Sequence, residues 1–127
     1  MPRPAFRIDQ RQQPNLVIVD VTGEIDLCSS FSFREQLGRV IESGAEQVAI
    51  DLSEVTLIDS AGLSVLAGVA RRFILEEREL VVVCSDTRLR RVLTITGLDR
   101  VIPVLRTLAE EVVEQGQDVA FSPQHVG

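Results

Sequence analysis

The sequence has no lysine, no tryptophan and no tyrosine, one histidine and two cysteines among its 127 residues. Each scarcity removes a class of function. Without lysine there is no P-loop, no Schiff-base enzyme and no pyridoxal-phosphate enzyme. All 13 basic residues are arginine. The single histidine, His125, stands third from the end in a polar stretch. Neither a Ser-His-Asp triad nor a histidine-ligated zinc site is therefore expected. Cys28 and Cys84 are too far apart for a CxxC motif and too few for a zinc finger. Asp51 and Asp59 are two carboxylates with no third ligand, so no metal is expected, and no cofactor is expected either. Positive charge is also short. The net charge of −6 argues against a nucleic-acid partner and against an anionic membrane surface. Long hydrophobic runs are missing too. The best of them, residues 63–70, is broken by Ser64 and Gly68 and falls far short of the roughly 20 residues of a membrane span. The opening MPRPAFRIDQRQQ carries no apolar signal-peptide core. Two cysteines with no evident pairing fit a reducing compartment, so a small, acidic, cytoplasmic domain is expected.

What is present alternates between strand and helix patterns. Residues 1–5 read as a loose end and 6–9 as a short edge strand. LVIVDV at 16–21 is β-branched and apolar, a strand, with Gly23 as a break. Ser29 or Ser30 can cap a helix through SFREQLGRVIE, whose Phe33, Leu37, Val40 and Ile41 fall on one face. Ser43-Gly44 stops it. QVAIDL at 47–52 is the next strand, and SEVTLID reads as a link to Ser60. From there SAGLSVLAGVARRFILEE has an apolar stripe of Leu63, Leu66, Ala70, Phe73 and Ile74. Its small residues Ala61, Gly62, Ala67 and Gly68 suit close approach to a sheet. LVVVC at 80–84 is a near-continuous apolar strand of the kind covered on both faces. Ser85 or Asp86 caps a helix over TRLRRVLTIT with Gly97 as its stop. Residues 101–104 form a last short strand, Thr107 caps a final helix LAEEVVEQ, and 117–127 read as a disordered tail. This alternation predicts one α/β domain over 6–116 with a mostly parallel mixed sheet of four to five strands and about four helices.

The informative segment runs from 48 to 73, VAIDLSEVTLIDSAGLSVLAGVARRF. A strand ends and Asp59-Ser60 opens a helix. The plain reading is an N-cap, since Asp and Ser oxygens satisfy the unpaired amides of a first helical turn. The company of these residues adds a second reading. Nothing bulky follows Ser60, and Leu57, Ile58 and Leu63 make its surroundings apolar. A phosphate there would bring a charge of about −1.5 to −2 that the helix N-terminus tolerates. A partner docked over it would not, because an unpaired charge buried in an interface costs several kcal/mol.

GEIDL at 23–27, VAIDLSEVTLIDSAGLSVL at 48–66 and VLTITGLD at 92–99 together resemble the STAS domain, and more narrowly the stand-alone bacterial anti-sigma factor antagonists. The resemblance covers about residues 6–114. It implies partner switching. The unphosphorylated domain binds an anti-sigma factor that is also a serine kinase of the histidine-kinase-like ATPase fold, and the sigma factor is released. Phosphorylation breaks the complex and a PP2C-type phosphatase resets it. Carried over, Ser60 is the acceptor, and Asp59 supports it by capping the helix and orienting the hydroxyl. Asp26 lies on the same contact face, with Gly62 and Leu63 in the docking surface. The chain is then a binding switch and a kinase substrate, not an enzyme, and ATP belongs to the partner.

Two departures stand out. Ala61 and Ser64 occupy positions where many family members carry Ser and Gly. Ser64 reads as a packing residue. LCSSFSF after Asp26 is bulkier and more aromatic than usual, and Phe31 is either core or an exposed anchor for a particular partner. The arginines 71, 72, 88, 90 and 91 read as solvated helix faces, and the acidic cluster around Arg78 as a solvated turn. Cys84 reads as a buried small hydrophobe. Rival readings are a STAS scaffold of a stressosome or lipid-transport complex, a nucleotide-sensing STAS domain, and a small flavodoxin-like enzyme.

Overall fold

The computed structural model describes residues 5–108. Five strands form one sheet in the order β1-β2-β3-β4-β5. They are β1 (Arg7–Gln13), β2 (Leu16–Ile25), β3 (Gln47–Ile58), β4 (Glu79–Val83) and β5 (Val104–Leu105). β1 is antiparallel to β2 through a hairpin in which Asn15 takes the left-handed region at φ 65°. The other three pairings are parallel. Between parallel strands lie α1 (Leu27–Glu42), α2 (Ser60–Leu75) and α3 (Thr87–Ile95), and Leu98–Arg100 adds a 3₁₀ turn. Among the described residues there are thus three α-helices rather than about four. The expected final helix beyond Leu108 and the tail at 117–127 lie outside the described residues.

The strand order explains the layering. Each parallel strand is added on the same side of the one before, and crossovers are right-handed, so all three helices fall on one face. There Val17, Val19 and Val21 of β2, Val48, Ile50 and Leu52 of β3 and Leu80 and Val82 of β4 share a single core cluster. Phe33 and Leu37 of α1, Leu66 and Phe73 of α2 and Leu89 and Leu93 of α3 belong to the same cluster. The opposite face holds a smaller cluster of Leu16, Ile18, Ala49 and Val81 with Leu105 and Leu108 packed against it. β4 is buried on both faces, as its unbroken apolar run requires. The order never reverses, so the sheet has no switch point of the kind that opens a ligand crevice in doubly wound folds.

Several elements differ from the pattern reading. β2 runs on through Gly23, whose φ of 98° and approach to Ala5 leave no room for a side chain. β3 continues across the segment read as a link. Its pairing with β2 is bulged between Asp20 and Thr22 and again between Gly23 and Glu24, with the extra residues on β3. Each bulge leaves two adjacent exposed residues, Ser53-Glu54 and Thr56-Leu57, and so erases the alternation by which a strand is recognised. The inner face of α2 is Gly62, Val65, Leu66, Val69, Ala70 and Phe73. Ile74, Ala67, Gly68 and Ser64 are exposed, so Ser64 is not a packing residue. Arg78 is not in a solvated turn. Its guanidinium donates to the Ala45 carbonyl at 2.9 and 2.6 Å and lies 4.3 Å over the Phe73 ring, joining the end of α2 to the loop before β3.

Candidate functional site

The site forms where β2 and β3 end side by side. Their helices start there, so two first turns with unpaired amides point to the same end of the sheet. The Asp59 amide donates to the Ile25 carbonyl at 3.0 Å, which locks the start of α2 to the last residue of β2. Asp59 is the N-cap of α2. Its Oδ1 accepts from the amides of Ala61 at 2.9 Å and Gly62 at 3.4 Å, and its carbonyl accepts from Leu63 at 3.0 Å. Asp59 is half-buried and Ser60 is exposed at the first helical position. Among the described residues the Ser60 hydroxyl has no hydrogen-bond partner. Asp59 therefore caps the helix, as expected, but does not hold the hydroxyl.

Asp26 stands one residue beyond Ile25 and caps α1. Its Oδ1 accepts from the Ser29 amide at 3.0 Å, and its own amide donates to the Ser29 hydroxyl at 2.9 Å, closing a capping box. The Ser29 hydroxyl in turn donates to the Glu24 carbonyl at 2.7 Å. The cap of α1 is thus Asp26, not Ser29 or Ser30. The Asp26 carboxyl is held below its ordinary value of 3.8, chiefly by the Ser29 amide, with burial opposing and the Ser29 hydroxyl assisting.

Gly62 faces inward. A Cβ there would lie 2.6 Å from Cγ2 of Ile25 and 2.8 Å from Cγ1 of Ile58. Its absence lets α2 sit directly on the ends of both strands, so Gly62 acts by seating the site rather than by lining its surface. Leu63 is half-buried against the core. Leu57 is 45% exposed at the second bulge, three residues before Ser60, and Leu27 and Phe31 of α1 are 77% and 67% exposed. Phe31 is therefore not core.

Beyond Leu57 a shallow cleft of about 220 Å³ separates the end of β3 from the start of α3, lined by Thr56, Leu57, Ile58, Asp86, Arg88, Leu89 and Val92. It is smaller than the roughly 300–1,000 Å³ of typical small-molecule sites. Asp51 turns its carboxylate onto the Ser53 amide at 2.9 Å. Among the described residues no group of three or more His, Cys, Asp or Glu is placed to hold a metal ion. Cys84 is buried, and burial pushes its thiol pKa up. Cys28, next to Leu27 in α1, is exposed.

The described helices α1, α2 and α3 thus share one face of the sheet, and Ser60 is exposed at the first position of α2. The STAS domain model matches residues 7–111, and the chain belongs to the STAS domain family. Two characterised relatives carry more specific names. The chain is 34% identical over 99 residues to the anti-sigma-B factor antagonist of Bacillus subtilis, covering 78% of this chain and 90% of that protein. It is 30% identical over 93 residues to the anti-sigma-F factor antagonist RsfB of Mycobacterium tuberculosis, covering 73% and 75%. Among solved structures, an anti-sigma factor antagonist from Mycobacterium paratuberculosis superposes with a TM-score of 0.81 at 26% identity, over 89% of this chain and 96% of that one.

The approximate placing of Asp59-Ser60 needed only the sequence. The exposed Leu57 and the inward Gly62 did not show there. The signal that could have found Leu57 is the pair of consecutive polar or outward positions in SEVTLI, which is the mark of a bulge rather than of a link.

Proposed function

We propose that this STAS domain is an anti-sigma factor antagonist switched at Ser60. Unphosphorylated, it docks the end of the sheet carrying Asp26, Ser60 and Leu63 onto an anti-sigma factor, which then lets go of its sigma factor. That partner is a serine kinase of the histidine-kinase-like ATPase fold. It transfers the γ-phosphoryl group of ATP to Oγ of Ser60. The Oγ–P bond forms, the bond from γ-phosphorus to the β–γ bridging oxygen breaks, ADP leaves, and the hydroxyl proton passes to a base of the kinase. A PP2C-type phosphatase directs water onto the phosphorus; the P–Oγ bond breaks, Oγ of Ser60 regains its proton and inorganic phosphate leaves. The chain is substrate and binder in this cycle, working in the cytoplasm. No described helix is long and apolar enough to cross a membrane.

The observation that carries the reading is the uncommitted Ser60 hydroxyl, exposed at a helix N-terminus at the end of the sheet where Leu57 is also exposed. The amides and dipole of α2 accommodate a phosphate, at about 0.3–1 kcal/mol in its favour for an exposed end. The fold therefore survives phosphorylation. A complex covering Ser60 does not, since roughly 3 kcal/mol of uncompensated charge lowers affinity more than a hundredfold. The test is a paired pull-down from lysate of the source organism with ADP present, using wild type and Ser60→Glu as baits and mass spectrometry to identify what is held. The expected result is an ATPase of the histidine-kinase-like fold on the wild type and none on Ser60→Glu. Equal retention of one partner by both baits would make Ser60 a helix residue only and the domain a constitutive scaffold.

A further inference from the structure

The cap of α1 uses Asp26 and Ser29, and its core face uses Phe33, Leu37, Val40 and Ile41. Leu27 and Phe31 take part in neither. They are four residues apart, on one stripe of the helix, and both point to solvent at 77% and 67% exposure. Folding gives no reason for a leucine and a phenylalanine there, since small or polar residues would leave cap and core unchanged. Large exposed apolar side chains grouped on a monomer mark an interaction surface, and aromatic anchors often dominate such interfaces. The position of this pair says which interface. The bond from the Asp59 amide to the Ile25 carbonyl and the seat of Gly62 on Ile25 fix the start of α1 beside the start of α2. The pad and Ser60 therefore share one end of the molecule, with Leu57 exposed at the same end. Of the other exposed large hydrophobics, Ile74, Leu75 and Ile95 lie in the last turns of α2 and α3, and Val101 lies beyond α3. α2 alone is about 24 Å long.

We propose that Leu27 and Phe31 form an anchoring pad for the anti-sigma factor that docks over Ser60. The proposal rests on the partner-switching reading and assigns it a second element. Continuity with the Ser60 end commits the pad to that partner rather than to a second copy of this chain. The pad is uncharged and sits on a different helix from the acceptor. It therefore sets affinity for the partner, while Ser60 sets whether the complex persists.

The test uses the full chain and the purified anti-sigma factor that the wild-type bait retains. Phe31→Ala, Leu27→Ala and Phe31→Leu are compared with wild type and Ser60→Glu for binding, for thermal melting, and for KM and kcat of Ser60 phosphorylation. Phe31→Ala is expected to weaken binding tenfold or more and to raise KM by a similar factor. kcat and the melting temperature should stay unchanged, and Phe31→Leu should recover most of the loss. Binding within twofold of wild type for both alanine variants, while Ser60→Glu still abolishes it, would overturn the pad and leave the switch standing. Loss with Phe31→Ala but full binding by Ser60→Glu would uphold the pad and remove the switch. If the alanine variants change only the self-association of the free chain, a second copy covers the pad and the proposal fails.

Discussion

At the start of α1 an aspartate caps the helix and a serine stands three residues on. At the start of α2 an aspartate caps the helix and a serine follows directly. Both helices leave the ends of adjacent parallel strands, and both caps accept backbone amides through one carboxylate oxygen. The serines nevertheless have opposite fates. Ser29, at the third helical position, receives the Asp26 amide and donates to the Glu24 carbonyl, so its hydroxyl is spent on the fold. Ser60, at the first position, is exposed, and its hydroxyl has no partner among the described residues. Residue type is the same, and two positions along a helical turn separate a hydroxyl spent on the fold from one left uncommitted.

The comparison depends on α2 being seated as closely as α1, and Gly62 is where it breaks most severely. Gly62→Val brings branched carbons into the side chains of Ile25 and Ile58, already 2.6 and 2.8 Å from where a Cβ would stand. Overpacking of this kind costs about 1–3 kcal/mol. At roughly 4–8 °C per kcal/mol for a domain of this size, thermal melting should drop by about 4 °C or more. Partner binding should fall with it, because the Ser60 end is displaced. Melting unchanged from wild type would show that the gap between α2 and the strand ends is wider than the structure has it.

A smaller effect separates the two caps. Ser29→Ala removes the hydroxyl that closes the capping box and leaves the Asp26 amide without its partner, at a cost of about 1 kcal/mol. The same cap carries a pH signature. Asp26 is held below its ordinary value in the folded chain, so the unfolded chain binds its proton first as pH falls. Its contribution is complete above 3.8 and is lost as pH falls toward the lower folded value. Denaturant midpoints measured from pH 6 down to pH 2, at about unit steps around the carboxylate range, should fall less steeply for Asp26→Asn than for wild type. Parallel acid limbs would show that the cap does not bind its carboxylate as described.

The sequence carried the order of elements, because each has its own period. The run 80–84 could only be a strand covered on both faces, and Phe33, Leu37, Val40 and Ile41 could only face a core. It misplaced what depends on competition or irregularity. At 26–30 three residues able to cap stand within one turn, and Asp26 prevails because the register lets Ser29 return its hydroxyl to the cap. In β3 two bulges cancel the alternation that identifies a strand. On α2 the stripe through Ile74 drifts off the core, and Gly62, which looked like part of a docking surface, is pressed inward. The identity of the candidate acceptor was therefore legible, and the surface around it was not. Leu57 and Phe31 are exposed because of a bulge and of the setting of α1, neither of which the residue pattern shows.

The smallest expected effect is the most discriminating. Ser60→Ala removes a hydroxyl that makes no hydrogen bond within the described residues, at an exposed position. Exposed substitutions of this kind usually lie within about 0.5 kcal/mol of wild type. Alanine is also the best helix former, which offsets any residual loss at the first position. Melting of Ser60→Ala should therefore match wild type while Ser29→Ala melts lower in the same buffer. With the acceptor oxygen gone and no charge introduced, the variant should still hold the anti-sigma factor and should keep holding it when ATP is added, whereas wild type is released. If Ser60→Ala melts as low as Ser29→Ala, the Ser60 hydroxyl belongs to its cap. The distinction between the two serines then disappears, and with it the reason to place the switch on α2.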